Sequence, residues 1–94
     1  MIRTFLRDQR ERAMKIYDYN GKKNCCGDRV RQARQSKRLS QSDLAARLQT
    51  SGVIMERDSV SRIEIGTRFV ADYEVVVLAR VLGVSVAWLL GAEE

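Results

Sequence analysis

The sequence predicts an all-α fold: a compact domain of five helices preceded by an N-terminal extension. The chain has no proline and only six glycines, which is a poor supply of turn residues for a sheet-rich protein. Apolar residues recur three and four positions apart in successive segments, which is the period of one helix face. Most of these segments begin near Ser or Asp and end near Gly, residues that favour helix starts and stops.

The chain is long enough for one domain. Its 94 residues, 45% hydrophobic and 31% charged, can bury one modest core but leave no room for a second catalytic domain. We divide it into a basic extension (1–26), a helical domain (27–91) and a short tail (92–94). Residues 1–14 have the spacing of a basic amphipathic helix. That helix would pack on the domain or on a partner subunit, lie along phosphates, or fray.

Basic residues are concentrated in the first half of the chain. The net charge is +5, with seven basic and three acidic residues in 1–26, but one basic and four acidic residues in 71–94. This asymmetry favours docking one face against a polyanion, with nucleic acid ahead of an anionic membrane. The longest apolar run, 75–79, is too short to span a bilayer, and no segment resembles a signal peptide. We expect a cytoplasmic protein with no membrane partner.

The reactive side chains do not suggest catalysis or metal binding. Cys25 and Cys26 are adjacent and the chain has no His, so neither a disulfide framework nor the spaced ligand pairs of a zinc site are expected. There is no paired-carboxylate cleft and no phosphate-cradling Gly loop to nominate as catalytic. We expect no enzyme activity, no cofactor and no metal, and we interpret the thiols as buried or idle.

The first two helices are defined by capping residues. Asp28 is placed to cap a helix over about 28–38, with Val30 on its inner face. Ser40 caps the second helix, because Asp43 three residues later lies in the first turn, where an acidic residue is favourable. Its inner stripe comprises Leu44, Ala45 and Leu48.

The segment between the second and third helices is the least determined. The second helix should end near residue 50, before a stop at Gly52. Met55 precedes Val60 at the spacing of a hydrophobic staple around an N-cap at Glu56. Asp58 is chemically the better cap, so the third helix begins at either residue.

The third helix combines an apolar inner face with a polar outer face. Val60 and Ile63 share the inner face, and Gly66 can supply the left-handed residue that ends a helix. The side chains left pointing outward are those of Arg57, Asp58, Ser61 and Arg62. Outward donors and acceptors in a basic protein are what reading base edges in a major groove requires. An ordinary surface helix is the alternative interpretation of this segment.

The last two helices are predicted to contribute apolar residues to the core. Asp72 caps a helix so widely apolar that it must be largely buried, and Gly83 ends it. Ser85 caps a short final helix over 86–90, where Trp88 is interpreted as a structural residue that buries area.

In this order, the motifs resemble the DNA-binding domain of phage repressors and Cro proteins, the xenobiotic-response-element type of helix-turn-helix. The resemblance covers residues 28–91. It rests on three motifs: LSQ and DLA at 39–41 and 43–45, VSRIEIG at 60–66, and ARVLGVS at 79–85 followed by WLL at 88–90. Each motif alone is weak, whereas all three in order are specific.

The resemblance implies that the second helix crosses the DNA backbone and the third enters the major groove. The implied base contacts are Arg57, Asp58, Ser61 and Arg62. The implied phosphate contacts are Lys37, Arg38, Gln41, Ser59, Thr67 and Arg68. It further implies a structural ion pair between Arg34 and Glu64, which would fix the angle of the third helix.

The sequence departs from the family pattern in two places. The segment from Leu48 to Val60 is longer than the usual tight turn, so it forms a bulging loop, an extension of the third helix or a longer second helix. Arg38 stands where the family often has Gly, so this corner carries strain or adopts a different turn.

Two functional hypotheses follow. The first is a sequence-specific transcriptional regulator, a repressor, that binds double-stranded DNA as a symmetric homodimer through the last helix or residues 1–14. The second is a protein-interaction module or antitoxin, in which the basic residues form a solvated face. No segment suggests a small-molecule effector.

Overall fold

The computed structural model describes residues 18–94, and the all-α, five-helix prediction is confirmed for this part of the chain. The helices are α1 (Gly27–Ser36), α2 (Gln41–Thr50), α3 (Arg57–Ile65), α4 (Asp72–Leu82) and α5 (Val86–Leu89). The helix predicted over residues 1–14 lies outside the described residues. Across residues 18–94, every helix is too short or too polar to traverse a lipid bilayer.

All five helices contribute to one hydrophobic core. α3 packs against α1 and α2, while α4 packs against α1, α2 and α5. The side chains almost completely removed from solvent are Cys26, Val30, Leu44, Leu48, Val60, Ile63, Leu78, Leu82 and Leu89. Full burial of one such aliphatic side chain contributes about 1.5–3 kcal/mol. The core therefore determines which face of each helix is turned inward, including that of α3.

The start of α1 differs from the prediction. Asp28 lies within the first turn, and the flanking residue Cys26 makes no side-chain capping bond. Asn24 supplies the cap, because its Oδ1 accepts hydrogen bonds from the backbone N–H groups of Cys26 at 3.1 Å and Gly27 at 2.8 Å. An Asn side chain that accepts from the N–H groups two and three residues ahead has the usual geometry of a helix cap.

The corner between α1 and α2 contains a strained residue. Arg38 has a φ of 57°, in the left-handed region that glycine occupies without steric cost. The helix that follows starts as predicted, with Ser40 Oγ accepting from Asp43 N and Asp43 Oδ2 accepting from Ser40 N, both at 2.9 Å. The bond from the Ser40 backbone also holds the pKa of Asp43 below its ordinary value.

The long segment between α2 and α3 is a loop, the first of the three predicted alternatives. α2 ends at Thr50, and Gly52 turns the chain with a φ of 96°. Val53 N then donates to Leu48 O at 2.9 Å, which ties the loop to the last turn of α2. Val53 and Met55 are buried, whereas Ile54 between them is exposed. α3 begins at Arg57, and the flanking Glu56 gives no side-chain cap.

The start of α4 also differs from the prediction. Asp72 is the first helical residue rather than the cap, and the flanking position is Ala71. The carboxylate of Glu74 accepts a hydrogen bond from Ala71 N at 2.9 Å and so satisfies this helix end. The final helix starts as expected, since Ser85 Oγ accepts from Trp88 N at 3.0 Å.

The two thiols occupy different environments. Cys25 is exposed and Cys26 is buried, and both are free. Burial, followed by the neighbouring Cys25 thiol, raises the pKa of Cys26 to about 11. Since the thiolate is the reactive form, Cys26 is inert at neutral pH. Within residues 18–94, no group of three or more His, Cys, Asp or Glu side chains is arranged to hold a metal ion.

Candidate nucleic-acid interface

α3 presents a polar surface to solvent. Its inner residues Val60 and Ile63 are fully buried. The polar outward side chains are those of Arg57, Asp58 and Arg62, which are exposed, and of Ser59 and Ser61, which are partly exposed. The last residue of the helix, Ile65, is also exposed. Arg57 Nη1 lies 3.5 Å from Asp58 Oδ1, with these side chains 64% and 76% exposed. Such an exposed pair contributes little to stability, so both groups remain available for another partner.

A buried ion pair fixes the orientation of α3. Arg34 Nε and Nη2 donate to the two carboxylate oxygens of Glu64 at 2.6 and 3.0 Å. Arg34 Nη1 also donates to Leu39 O at 2.8 Å, which links the pair to the corner between α1 and α2. The hydrogen bonds to Glu64 raise the pKa of Arg34. Because the contact is bidentate and buried, it specifies an angle between α1 and α3 as well as a distance.

Gln41 joins the same network. It is the first residue of α2, and its Nε2 donates to Glu64 Oε1 at 3.1 Å. The start of α2 is therefore bound to the last turn of α3 through the carboxylate of Glu64. Gln41 remains partly exposed, and its amide has a second N–H that can donate to an external acceptor.

A second clamp holds the end of α3. The Nδ2 group of Asn24 donates to Ile63 O at 3.1 Å and to Arg68 O at 2.8 Å. The backbone of α1 approaches closely at this point, since a Cβ atom on Gly27 would lie 2.2 Å from Ile63 O. Only glycine fits there. Asn24 thus connects the start of α1 to the end of α3 through two N–H donors and one oxygen.

The residues predicted to contact phosphates differ in exposure and in their neighbours. Arg38 and Thr67 are exposed, the first at the corner before α2 and the second directly after α3. Lys37 is also exposed, but its side chain lies next to Gly83 at the end of α4. Gln41 faces Glu64 as described above. These four positions therefore differ in their local surroundings.

Arg68 is engaged within the protein. Its Nη1 and Nη2 donate to the two oxygens of Glu74 at 2.9 and 3.0 Å, and Nη1 also donates to Phe69 O at 2.8 Å. The hydrogen bond from Arg68 is the main cause that holds the pKa of Glu74 below its ordinary value. A phosphate would have to compete with a bidentate carboxylate for this guanidinium. In this structure Arg68 binds a carboxylate in the first turn of α4.

A protein-family model described as a helix-turn-helix domain matches residues 26–89 of this chain. The chain belongs to the helix-turn-helix domain family. This membership confirms the resemblance to phage repressor and Cro-type domains. A comparison with curated proteins found no significant match. In this helix-turn-helix domain, the loop between α2 and α3 is the enlarged segment that contains Ile54.

Sequence reasoning about the helix-turn-helix motif missed two residues. Asn24, rather than Asp28, caps α1, although its position shortly before a helical segment is itself a capping signal. Ile54 is exposed although residues 53–55 are all apolar, because consecutive side chains of an extended segment point in opposite directions. In both cases the distant partners, which the local pattern does not contain, decided the outcome.

Proposed function

We propose that this protein is a sequence-specific transcriptional regulator, a repressor, that inserts α3 into the major groove of double-stranded DNA. The observation that carries the proposal is the polar outer face of α3, whose orientation is fixed from behind by the ion pair of Arg34 with Glu64. Membership of the helix-turn-helix family supports DNA as the partner. A groove reader requires a helix held rigidly by the core with its polar side chains free.

The base contacts are assigned by side-chain chemistry. Arg57 and Arg62 can each donate two hydrogen bonds to O6 and N7 of guanine, whereas Asp58 can accept one from N4 of cytosine. Ser61 can donate or accept and lies beside them on the same face. Each well-formed contact discriminates against the wrong base by about 1–3 kcal/mol, so these few side chains are sufficient for a short half-site.

The phosphate contacts set affinity and register without reading sequence. We assign this role to Lys37, Arg38, Gln41, Ser59 and Thr67. Arg68 was part of the set predicted from the resemblance and is left out, because its guanidinium is bound to Glu74.

We further propose a symmetric homodimer. One short reading helix contacts few base pairs, and two half-sites one helical turn apart multiply the discrimination. Val86 and Leu90 are four residues apart at α5 and are each 39% exposed, an apolar pair that suits a self-complementary contact. Light scattering after size exclusion is expected to give a dimer mass, and Leu90→Glu is expected to give a monomer. A wild-type chain that binds its operator as a monomer would contradict the dimer.

The DNA-binding proposal is tested by fluorescence anisotropy with a duplex selected from a random pool. Because binding releases phosphate counterions, affinity should fall steeply as salt rises from about 50 to 200 mM. Arg62→Ala is expected to reduce the preference for the selected over the scrambled duplex by about 1–3 kcal/mol, whereas Gln41→Ala should weaken binding to both duplexes equally. Arg80→Ala removes the same charge at an exposed position of α4 and serves as the control. Unchanged selectivity in Arg62→Ala would show that α3 is misassigned.

The alternative is a protein-interaction module or antitoxin built on the same fold. It predicts no retardation of any duplex, or binding whose affinity hardly changes with salt. We also propose that the protein acts in the cytoplasm, where it would contact the chromosome.

A further inference from the structure

Ile54 has the most exposed large apolar side chain among residues 18–94, at 83%. A single exposed apolar residue is common on protein surfaces and by itself indicates nothing. Two further observations distinguish Ile54: the backbone around it is held in place, and it lies beside the end of α3 that is proposed to enter the groove.

The exposure of Ile54 is imposed by its neighbours. Val53 and Met55 on either side are 7% and 4% exposed, so both are anchored in the core. Val53 N also donates to Leu48 O at 2.9 Å. Side chains alternate along an extended segment, and burial of the two flanking residues turns Ile54 outward. The protein therefore presents this side chain to solvent in a defined position.

Ile54 lies close to the start of the reading helix. Ile54 lies two residues before Glu56, whose extended backbone flanks α3, and three residues before Arg57. At a rise of about 3.3 Å per extended residue, its Cα lies within about 10 Å of the first residue of α3. The N-terminal residues of a recognition helix are the ones that contact base edges, and Ile54 lies next to them along the chain.

We propose that Ile54 is a specificity-determining residue that packs against the C5-methyl group of a pyrimidine in the major groove. The C5-methyl of thymine is the apolar group that DNA presents on that edge, and contact with an apolar side chain is how proteins recognise it. 5-Methylcytosine carries the same group at the same position. This inference rests on the proposed function, since it requires that α3 enter the groove.

The test removes single methyl groups from the DNA. Each thymine of the selected duplex is replaced in turn by deoxyuridine, which lacks only the C5-methyl. Wild-type protein is expected to bind about three- to tenfold more weakly when the methyl at one position in each half-site is lost. Ile54→Ala should bind the thymine duplex more weakly and show no preference between thymine and uracil. Because Ile54 is exposed, the thermal midpoint of Ile54→Ala should match that of the wild type.

Two further measurements sharpen the result. Val76→Ala alters a 44% exposed apolar residue on α4 and should keep the wild-type preference for thymine over uracil. At the position where loss of the methyl group weakens binding, replacement of the thymine–adenine pair by a cytosine–guanine pair should also weaken binding. Methylation of that cytosine should restore part of the loss for the wild type but not for Ile54→Ala, which would identify the methyl group and not the base as the feature recognised.

The outcomes separate this inference from the function on which it rests. If wild-type protein binds tightly and selectively but no uracil substitution matters, the role of Ile54 is refuted and DNA binding stands. An unchanged thymine preference in Ile54→Ala refutes it equally. If no duplex binds in a salt-dependent manner, the proposed function fails and this inference fails with it.

Discussion

Replacement of Glu64 by Gln tests the network that orients α3. The carboxylate is 4% exposed and accepts from Arg34 at 2.6 and 3.0 Å, while the Arg34 side chain is 11% exposed. The neutral amide retains the shape of the side chain but leaves Arg34 as a buried charge without compensation. Breaking a buried pair in this way costs about 3–5 kcal/mol.

That cost is large relative to the stability of the whole domain. A folded domain has about 0.05–0.15 kcal/mol per residue of stability, or roughly 5–14 kcal/mol for a chain of 94 residues. At about 4–8 °C for each kcal/mol in a domain of this size, Glu64→Gln should lower the thermal midpoint by at least about 12 °C.

Urea unfolding followed by circular dichroism measures the loss, and Trp88 fluorescence provides a second probe of the same transition. Arg34→Met combined with Glu64→Leu removes both charges and should recover most of the stability, because an apolar pair of similar volume avoids the desolvation cost. Asp58→Asn breaks the exposed pair with Arg57 and should change stability by no more than about 0.5 kcal/mol. A loss below about 1 kcal/mol for Glu64→Gln would refute the argument that this pair holds α3 in place.

Three other predictions concern local features. Arg38→Gly should stabilise the domain by about 0.5–1 kcal/mol in urea unfolding, because the φ of 57° costs glycine nothing; an equal or lower stability would show that the corner is unstrained. Gly27→Ala should destabilise by about 2 kcal/mol or more, since the added Cβ would lie 2.2 Å from Ile63 O; an unchanged urea midpoint would contradict this. The folded-state pKa of Glu74 lies below its ordinary value because of Arg68, so its contribution is complete at neutral pH and is lost as pH falls through the ordinary carboxylate range toward the folded pKa. Urea midpoints at pH 7 and pH 4 should differ less in Glu74→Gln than in the wild type, and equal differences would exclude this cause.

The helices could be derived from the sequence because their signals are local. The capping pair of Ser40 and Asp43 is contained within four residues, and the bonds it predicts are present. The inner positions Val60 and Ile63 followed from the helical period alone. Gly66 ends α3 with a φ of 96°, as a glycine after an apolar stripe indicates.

The capping roles of Asn24 and Glu74 could not be derived from the sequence, because their signals are not local. Asp28 and Asp72 are good capping residues by type, but the groups that cap these helices were selected by tertiary contacts. Asn24 also bonds to carbonyl groups 39 and 44 residues away, and Glu74 is held by Arg68. Two side chains near a helix start can each be a suitable cap by residue type. A local pattern cannot show which of them is held in the capping position by a contact with a distant residue.

The same division applies to the proposed DNA-binding surface. By itself, the sequence determined that a short amphipathic helix would carry Arg57, Asp58 and Arg62 on its outer face, because periodicity and burial suffice to orient side chains around one helix. Only the tertiary structure decided that Arg68 is bound to Glu74 and that Ile54 projects beside the start of α3. Those outcomes depend on which distant groups come within hydrogen-bonding distance and which loop residues reach the core, and both are properties of the packed chain.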